Sequence, residues 1–185
     1  MLYTRKGDSG TTKAFNTKQG VRISKSSCQT EALGAMDEVN SFLGLAKRRS
    51  FDAGFDISGM KFGNIVHAVQ QDLFIVQAEL AGADKTIDSK KVVDMEVLID
   101  TIEKELPTIK TFFISGATEL GALFDVARTF ARRAERRVVA AVEDGEVKLG
   151  EHTLAYLNRL SSLLYALARL SNYRQGVSEE APQYK

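Results

Sequence analysis

Proline occurs only twice in this chain of 185 residues, at Pro107 and Pro182. Proline removes a backbone donor and clashes with the preceding turn, so its placement limits where helices can run. Here residues 1–106 and 108–181 are free of it, and helical spacing of apolar residues fills both stretches. A first helix is predicted from about Glu31 to Arg49, with Leu33, Met36, Val39, Phe42, Leu43 and Leu45 as apolar contacts. "SFDAGFDISG" reads as a connection. A second helix covers about Lys61 to Ala83 on Ile65, Val69, Leu73, Val76 and Leu80. Asp88 or Ser89 caps a third, which ends before Pro107. A fourth runs from Thr118 to Glu143, stopped by Asp144 and Gly145, and a fifth from His152 to Arg174. "TIKTFFISGATEL", β-branched and aromatic before a Ser-Gly break, is read as an extended connector because no partner strand is evident. The expectation is an all-α, antiparallel five-helix bundle with a ferritin-like, four-helix-bundle core. It forms a single domain over 1–185: a front segment at 1–28, the bundle at 29–175 and a loose polar tail at 176–185.

The formal net charge is +1, so no global field draws the chain to nucleic acid or to an anionic membrane. Cys28 is the only cysteine, which precludes an intrachain disulfide and suits a reducing, cytoplasmic setting. No apolar run reaches membrane-spanning length, and the place of a secretory leader is taken by polar residues. His67 and His152 stand far apart without ligand-spaced partners, and no Glu-x-x-His pair supports a di-iron bundle.

Two segments carry chemistry. The first is "DVARTFARRAERRVVAA" in the fourth helix. At about 100° per residue, Ala127, Phe130, Ala131, Ala134, Val138 and Ala141 form one apolar arc. Arg128, Arg132 and Glu135 form a narrow second arc beside it, with Arg136 at its edge, while Arg133 and Arg137 point to solvent. A salt-bridged surface helix accounts for this pattern. The sharper alternative is an anion clamp, because guanidinium forks match phosphate oxygens and keep their charge. The second segment is "YTRKGDSGTTKAF" at the front. Its glycines and threonines suit either a frayed tail or a phosphate nest, with Arg5, Lys6 and Lys13 adding charge. It is no Walker A loop, since no Gly-Lys-Ser/Thr follows. In the fifth helix Leu157, Leu160, Leu163, Leu164 and Leu167 form the apolar side; Asn158, Ser162, Tyr165 and Arg169 lie on another. Asp37 and Glu38 are adjacent on the first helix and so do not share a face.

Thr4, Arg5, Gly7, Asp8, Gly10 and Thr12 together resemble the Thr-Arg-x-Gly-Asp-x-Gly-x-Thr pattern of the PduO-type ATP:cob(I)alamin adenosyltransferases. "GAMDEVNSFLG" is similar to that family's Asp-Glu-x-Asn-Ser helix, and "ARTFARRAERRV" and "YLNRLS" match its two remaining signatures in order. The resemblance implies transfer of the 5′-deoxyadenosyl group of ATP to the cobalt of cob(I)alamin, giving adenosylcobalamin and triphosphate. It implies a homotrimer with active sites between subunits, a flavin-type reductase upstream and a cobalamin-dependent acceptor enzyme downstream. By family position Thr4, Arg5, Gly7, Asp8, Gly10, Thr11, Thr12 and Lys13 grip ATP, with Lys25 as a further phosphate contact. Arg128, Arg132, Glu135 and Asn158 are the nucleotide and catalytic residues, and Glu135 is a candidate Mg2+ contact. Asp37 is the expected partner of Arg128 across the subunit boundary. Phe112 is the aromatic that crowds the lower face of cobalamin and excludes its axial ligand. The chain departs from the family at Ser162, where an aspartate is usual, and at "SSCQTEALG", where Asp-Pro-Arg-Val is common. A nucleotide sensor or cobalamin chaperone on the same bundle is the rival reading, and a salt-bridged helical scaffold is a third.

Overall fold

The computed structural model describes residues 3–15, 17 and 21–184. Residues 1, 2, 16 and 18–20 of the expected front segment lie outside the described residues, as does residue 185 of the tail. Five helices carry the fold: α1 (Cys28–Ala53), α2 (Phe62–Leu80), α3 (Ser89–Glu105), α4 (Glu119–Glu143) and α5 (Thr153–Arg174). Side-chain caps set three of their starts. Ser27 accepts from the Thr30 N–H, Asp88 from that of Lys91 and Thr118 from that of Gly121. Gly54 ends α1 in the left-handed region, at φ 71°.

Pairs of contacts along the helices fix their directions. Cys28 meets Asp144 while Arg49 meets Glu119, so α1 and α4 are antiparallel. Thr118 bonds Asn172 and Asn158 bonds Glu135, so α4 and α5 are antiparallel as well. Gln29 and the carbonyl of Asn40 reach Leu80 and Gln70 of α2. These four helices form the core, and the apolar arcs read from the sequence meet inside it. Ala127, Ala131, Ala134, Val138 and Ala141 of α4 are buried, as are Leu157, Leu160, Leu163, Leu164 and Leu167 of α5. Phe42 and Phe130 close the α1–α4 seam edge to face, with ring centroids 5.3 Å apart. Leu45, expected among the core contacts of α1, is instead exposed.

The third helix keeps the alternating order, in which the first, third and fifth helices share one direction. Glu96 pairs with Arg159 and Glu105 with Arg174, so α3 runs alongside α5 in the same direction. The connector from 106 to 118 therefore crosses one end of the bundle, where α3 and α5 finish and α4 begins. It forms no strand, as expected. Two antiparallel ladders do occur: β1 (Thr11–Thr12) with β2 (Ile23–Ser24), and β3 (Asp56–Ile57) with β4 (Met60–Lys61). Two-residue strands leave no alternating signature, which is why sequence periodicity misses them. The tail expected to be loose is tied down at Glu179, which accepts from Arg169 and Asn172. Arg169 is an otherwise costly buried cation, and the acid of the tail neutralises it.

Candidate active site

The front segment folds as a tight hairpin. Asp8 N–H donates to the Arg5 carbonyl and Gly10 N–H to that of Gly7, giving two successive turns. Arg5 and Gly10 both sit at positive φ, 59° and 75°. That is ordinary for glycine and strained for arginine. Lys25 closes the hairpin: its N–H donates to the Gly10 carbonyl at 2.9 Å. Its ammonium lies so near Gly7 that a β-carbon there would come within 3.1 Å of Nζ. The small glycine leaves room for that cation beside the turn. Arg22, which the sequence reading passed over, donates from Nε and its terminal nitrogen to the hydroxyl and carbonyl of Thr11, at 2.8 and 2.7 Å. Thr4, Arg5, Asp8, Gly10 and Lys13 are exposed around this cationic turn, with Thr12 half-buried.

A cavity of about 590 Å³ lies at the connector end of the bundle. The connector forms its rim, with Phe112 78% exposed. Arg128 and Arg132 of α4 and Ser162 and Tyr165 of α5 form its wall. Arg128 is held between two neighbours. Its guanidinium stacks over Tyr165 at 5.8 Å, and its Nε lies 3.6 Å from Asp125 Oδ1. That spacing is an ion pair but too long for a hydrogen bond, and the buried Nε has no other partner among the described residues. Burial pushes the Asp125 carboxyl above its ordinary range, and the Arg128 charge only partly offsets this. Burial likewise raises the Tyr165 phenol, so it stays a hydrogen-bond donor.

Arg132 is shared with a second, smaller cavity of about 280 Å³, lined also by Glu135, Arg136, Val139 and Asn158. Asn158 Nδ2 donates to Glu135 Oε1 at 3.0 Å, and its Oδ1 accepts from Arg159. The predicted arc of Arg128, Arg132 and Glu135 thus lines two cavities that share Arg132. Arg133 and Arg137 are exposed, yet they pair with Glu38 and Glu31 of α1. The salt-bridged reading of the arginine helix thus holds on the face of Arg133 and Arg137, while Arg128 and Arg132 face the cavities.

Asp37 stands apart. It is exposed on α1, lines neither cavity, and has no ion-pair partner among the described residues. The hairpin is separate too, since it leads into α1 at the end where Cys28 meets Asp144. Phe112 belongs to the other end, and a helix the length of α1 spans about 39 Å. None of the described hairpin residues lines the arginine cavities.

Glu135 offers one carboxylate to a metal. Among the described residues no group of three or more acidic, histidine or cysteine side chains is placed to hold one. Such a site fits a magnesium ion that takes most of its oxygen ligands from a nucleotide and water. A larger apolar groove of about 750 Å³ lies between α2 and α3. Its polar atoms satisfy one another: Asp72 accepts from both Lys91 and the Tyr156 hydroxyl. No described helix is long and apolar enough to cross a membrane.

A fold of this kind, with a cationic hairpin at one end and an arginine cavity toward the other, has known counterparts. A family model described as cobalamin adenosyltransferase matches residues 2–171, and the chain belongs to that family. The corrinoid adenosyltransferase of Bacillus subtilis (strain 168) is 37% identical over 183 residues, covering 96% of this chain and 90% of that protein. The corrinoid adenosyltransferase PduO of Salmonella typhimurium is 36% identical over 175 residues; the match takes in 91% of this chain but only 48% of that longer protein. Among solved structures, a variant PduO-type ATP:corrinoid adenosyltransferase from Lactobacillus reuteri, complexed with cobalamin and ATP, is similar with a TM-score of 0.85 and 28% identity. That match covers 99% of this chain and 97% of the other.

Proposed function

We propose that this protein transfers the 5′-deoxyadenosyl group of ATP to the cobalt of cob(I)alamin, yielding adenosylcobalamin and triphosphate. The observation that carries the reading is the convergence of Phe112, Arg128 and Arg132 on one cavity. A nucleotide sensor has use for the arginines but none for an exposed aromatic poised opposite them. The relatives named above support the substrate class.

Each group has a task the chemistry requires. Cob(I)alamin is itself a strong nucleophile, so attack on the ribose carbon needs no general base. The leaving triphosphate gathers negative charge, which Arg128 and Arg132 meet with fixed cations. Glu135 and Asn158, bonded to each other, line the smaller cavity beside Arg132, where they meet the nucleotide. A magnesium ion at Glu135 would supply charge neutralisation on the phosphates. Phe112 presents an apolar ring where an axial ligand of cobalt would otherwise sit, easing reduction of the metal. The hairpin from Thr4 to Lys13, with Lys25, grips the nucleotide through backbone N–H groups and ammonium charge. What remains is alignment of carbon and cobalt, a positioning problem.

This assignment treats residues 1–28 as the ATP-binding segment and 29–175 as the bundle. Because hairpin and arginine cavity lie apart within one chain, the working site pairs the hairpin of one subunit with the bundle of the next. A homotrimer, with Asp37 of one subunit facing Arg128 of its neighbour, provides this arrangement. A flavin-type reductase supplies the reduced corrinoid and a cobalamin-dependent enzyme takes the product, in the cytoplasm where ATP is abundant. The direct test is an anaerobic assay with MgATP and chemically reduced cobalamin, following adenosylcobalamin by absorbance. Product formation is expected; tight ATP binding without product would favour the sensor.

A further inference from the structure

Phe112 sits in a connector without secondary structure, so something else must set where its ring stands. The C-terminal tail supplies that hold. Ile114 N–H donates to the carbonyl of Glu180 at 2.8 Å, a backbone bond between connector and tail. One residue earlier, Phe113 lies under the guanidinium of Arg169, at 5.1 Å from the ring centroid. The same guanidinium donates to the Pro107 carbonyl at 3.3 Å, at the start of the connector. Its Nε donates to Glu179 at 2.9 Å, with both side chains nearly buried, 7% and 14% exposed. Glu179 also accepts from Asn172, whose Oδ1 accepts from Thr118, the cap of α4. Arg169 and Glu179 thus join the connector's two halves, the tail and the start of the arginine helix.

We infer that the Arg169–Glu179 pair is a clasp that positions Phe112 over the arginine cavity and thereby sets corrinoid affinity without touching the nucleotide. The inference rests on the adenosyltransferase reading for its substrate, but the clasp itself can be tested without it. Both residues also line the cavity, so cleavage of the connector, which no direct contact with the corrinoid would alter, is the readout that isolates the clasp. A connector held in place only a tenth of the time lowers apparent corrinoid affinity about tenfold.

Two variants test this. Glu179→Ala removes the acid and leaves Arg169 buried without its partner. The double variant Arg169→Met with Glu179→Met replaces the pair by apolar side chains, an exchange that commonly preserves folding. Lys110, exposed in the connector, gives a trypsin site whose cleavage reports on the hold independently of activity. Both variants are expected to be cut faster after Lys110. In the double variant the KM for reduced cobalamin should rise about tenfold, with the KM for ATP and the melting temperature little changed. Unchanged cleavage at Lys110 in both variants overturns the clasp, as does an equal rise in both KM values. If the unaltered protein forms no adenosylcobalamin, the functional reading fails while the cleavage result still decides the clasp.

Discussion

Arg132 is the residue on which the two cavities of α4 meet, and its position makes it the most exacting test of the phosphate clamp. It is exposed and its side chain is in no ion pair among the described residues, so its removal leaves no buried charge behind. Arg132→Ala should therefore fold normally and lose transfer by at least on the order of 10²–10³-fold, as when a fixed donor to developing charge is deleted. Turnover near that of the parent protein would remove Arg132 from the mechanism. Asp125 makes a different prediction. Burial raises its carboxyl in the folded protein, so folding takes up a proton in the window above the ordinary carboxyl value. The cost of ionising it is absent at lower pH and grows as pH rises through that window. Asp125→Asn should flatten this part of the stability curve, gaining on the parent protein as pH increases. Parallel unfolding curves across the acid range would contradict it.

At the scale of elements, the tightest fit is between the start of α4 and the end of α5. A β-carbon on Gly121 would lie 2.1 Å from Asn172 Oδ1 and 3.0 Å from Thr118 Oγ1. Gly121→Ala must therefore push Asn172 off its bonds to Thr118 and Glu179. A loss of about 1–3 kcal/mol is expected, the usual cost of overpacking, measurable by chemical denaturation. A neutral effect would mean that the two helices part freely. The helices themselves were legible in the sequence, because caps such as Asp88 and breakers such as Pro107 mark their ends. Apolar residues at helical spacing also mark which faces turn inward. The arc of Arg128, Arg132 and Glu135 was legible for the same reason. Arg22 and Glu179 were not. Each acts through a partner distant in the chain or from an irregular segment, where periodicity carries no signal. The direction of α3 was legible as well, since short links between successive helices give an alternating order.

The proposed site cannot be assembled within a single chain. The cationic hairpin enters at one end of α1, the Phe112 connector crosses the other end, and Asp37 is exposed. Sedimentation should find a trimer under assay conditions; a stable, active monomer would sink the shared site. The separation has a genetic corollary. If each site draws its hairpin from one subunit and its arginines from the next, two crippled chains can rescue each other. Lys25→Ala and Arg132→Ala, each inactive alone, should regain part of their activity when unfolded together and reassembled. In a mixed ring, a subunit with an intact hairpin can stand beside one with an intact arginine helix. A site built within one chain allows no such complementation, because every subunit would carry its own lesion.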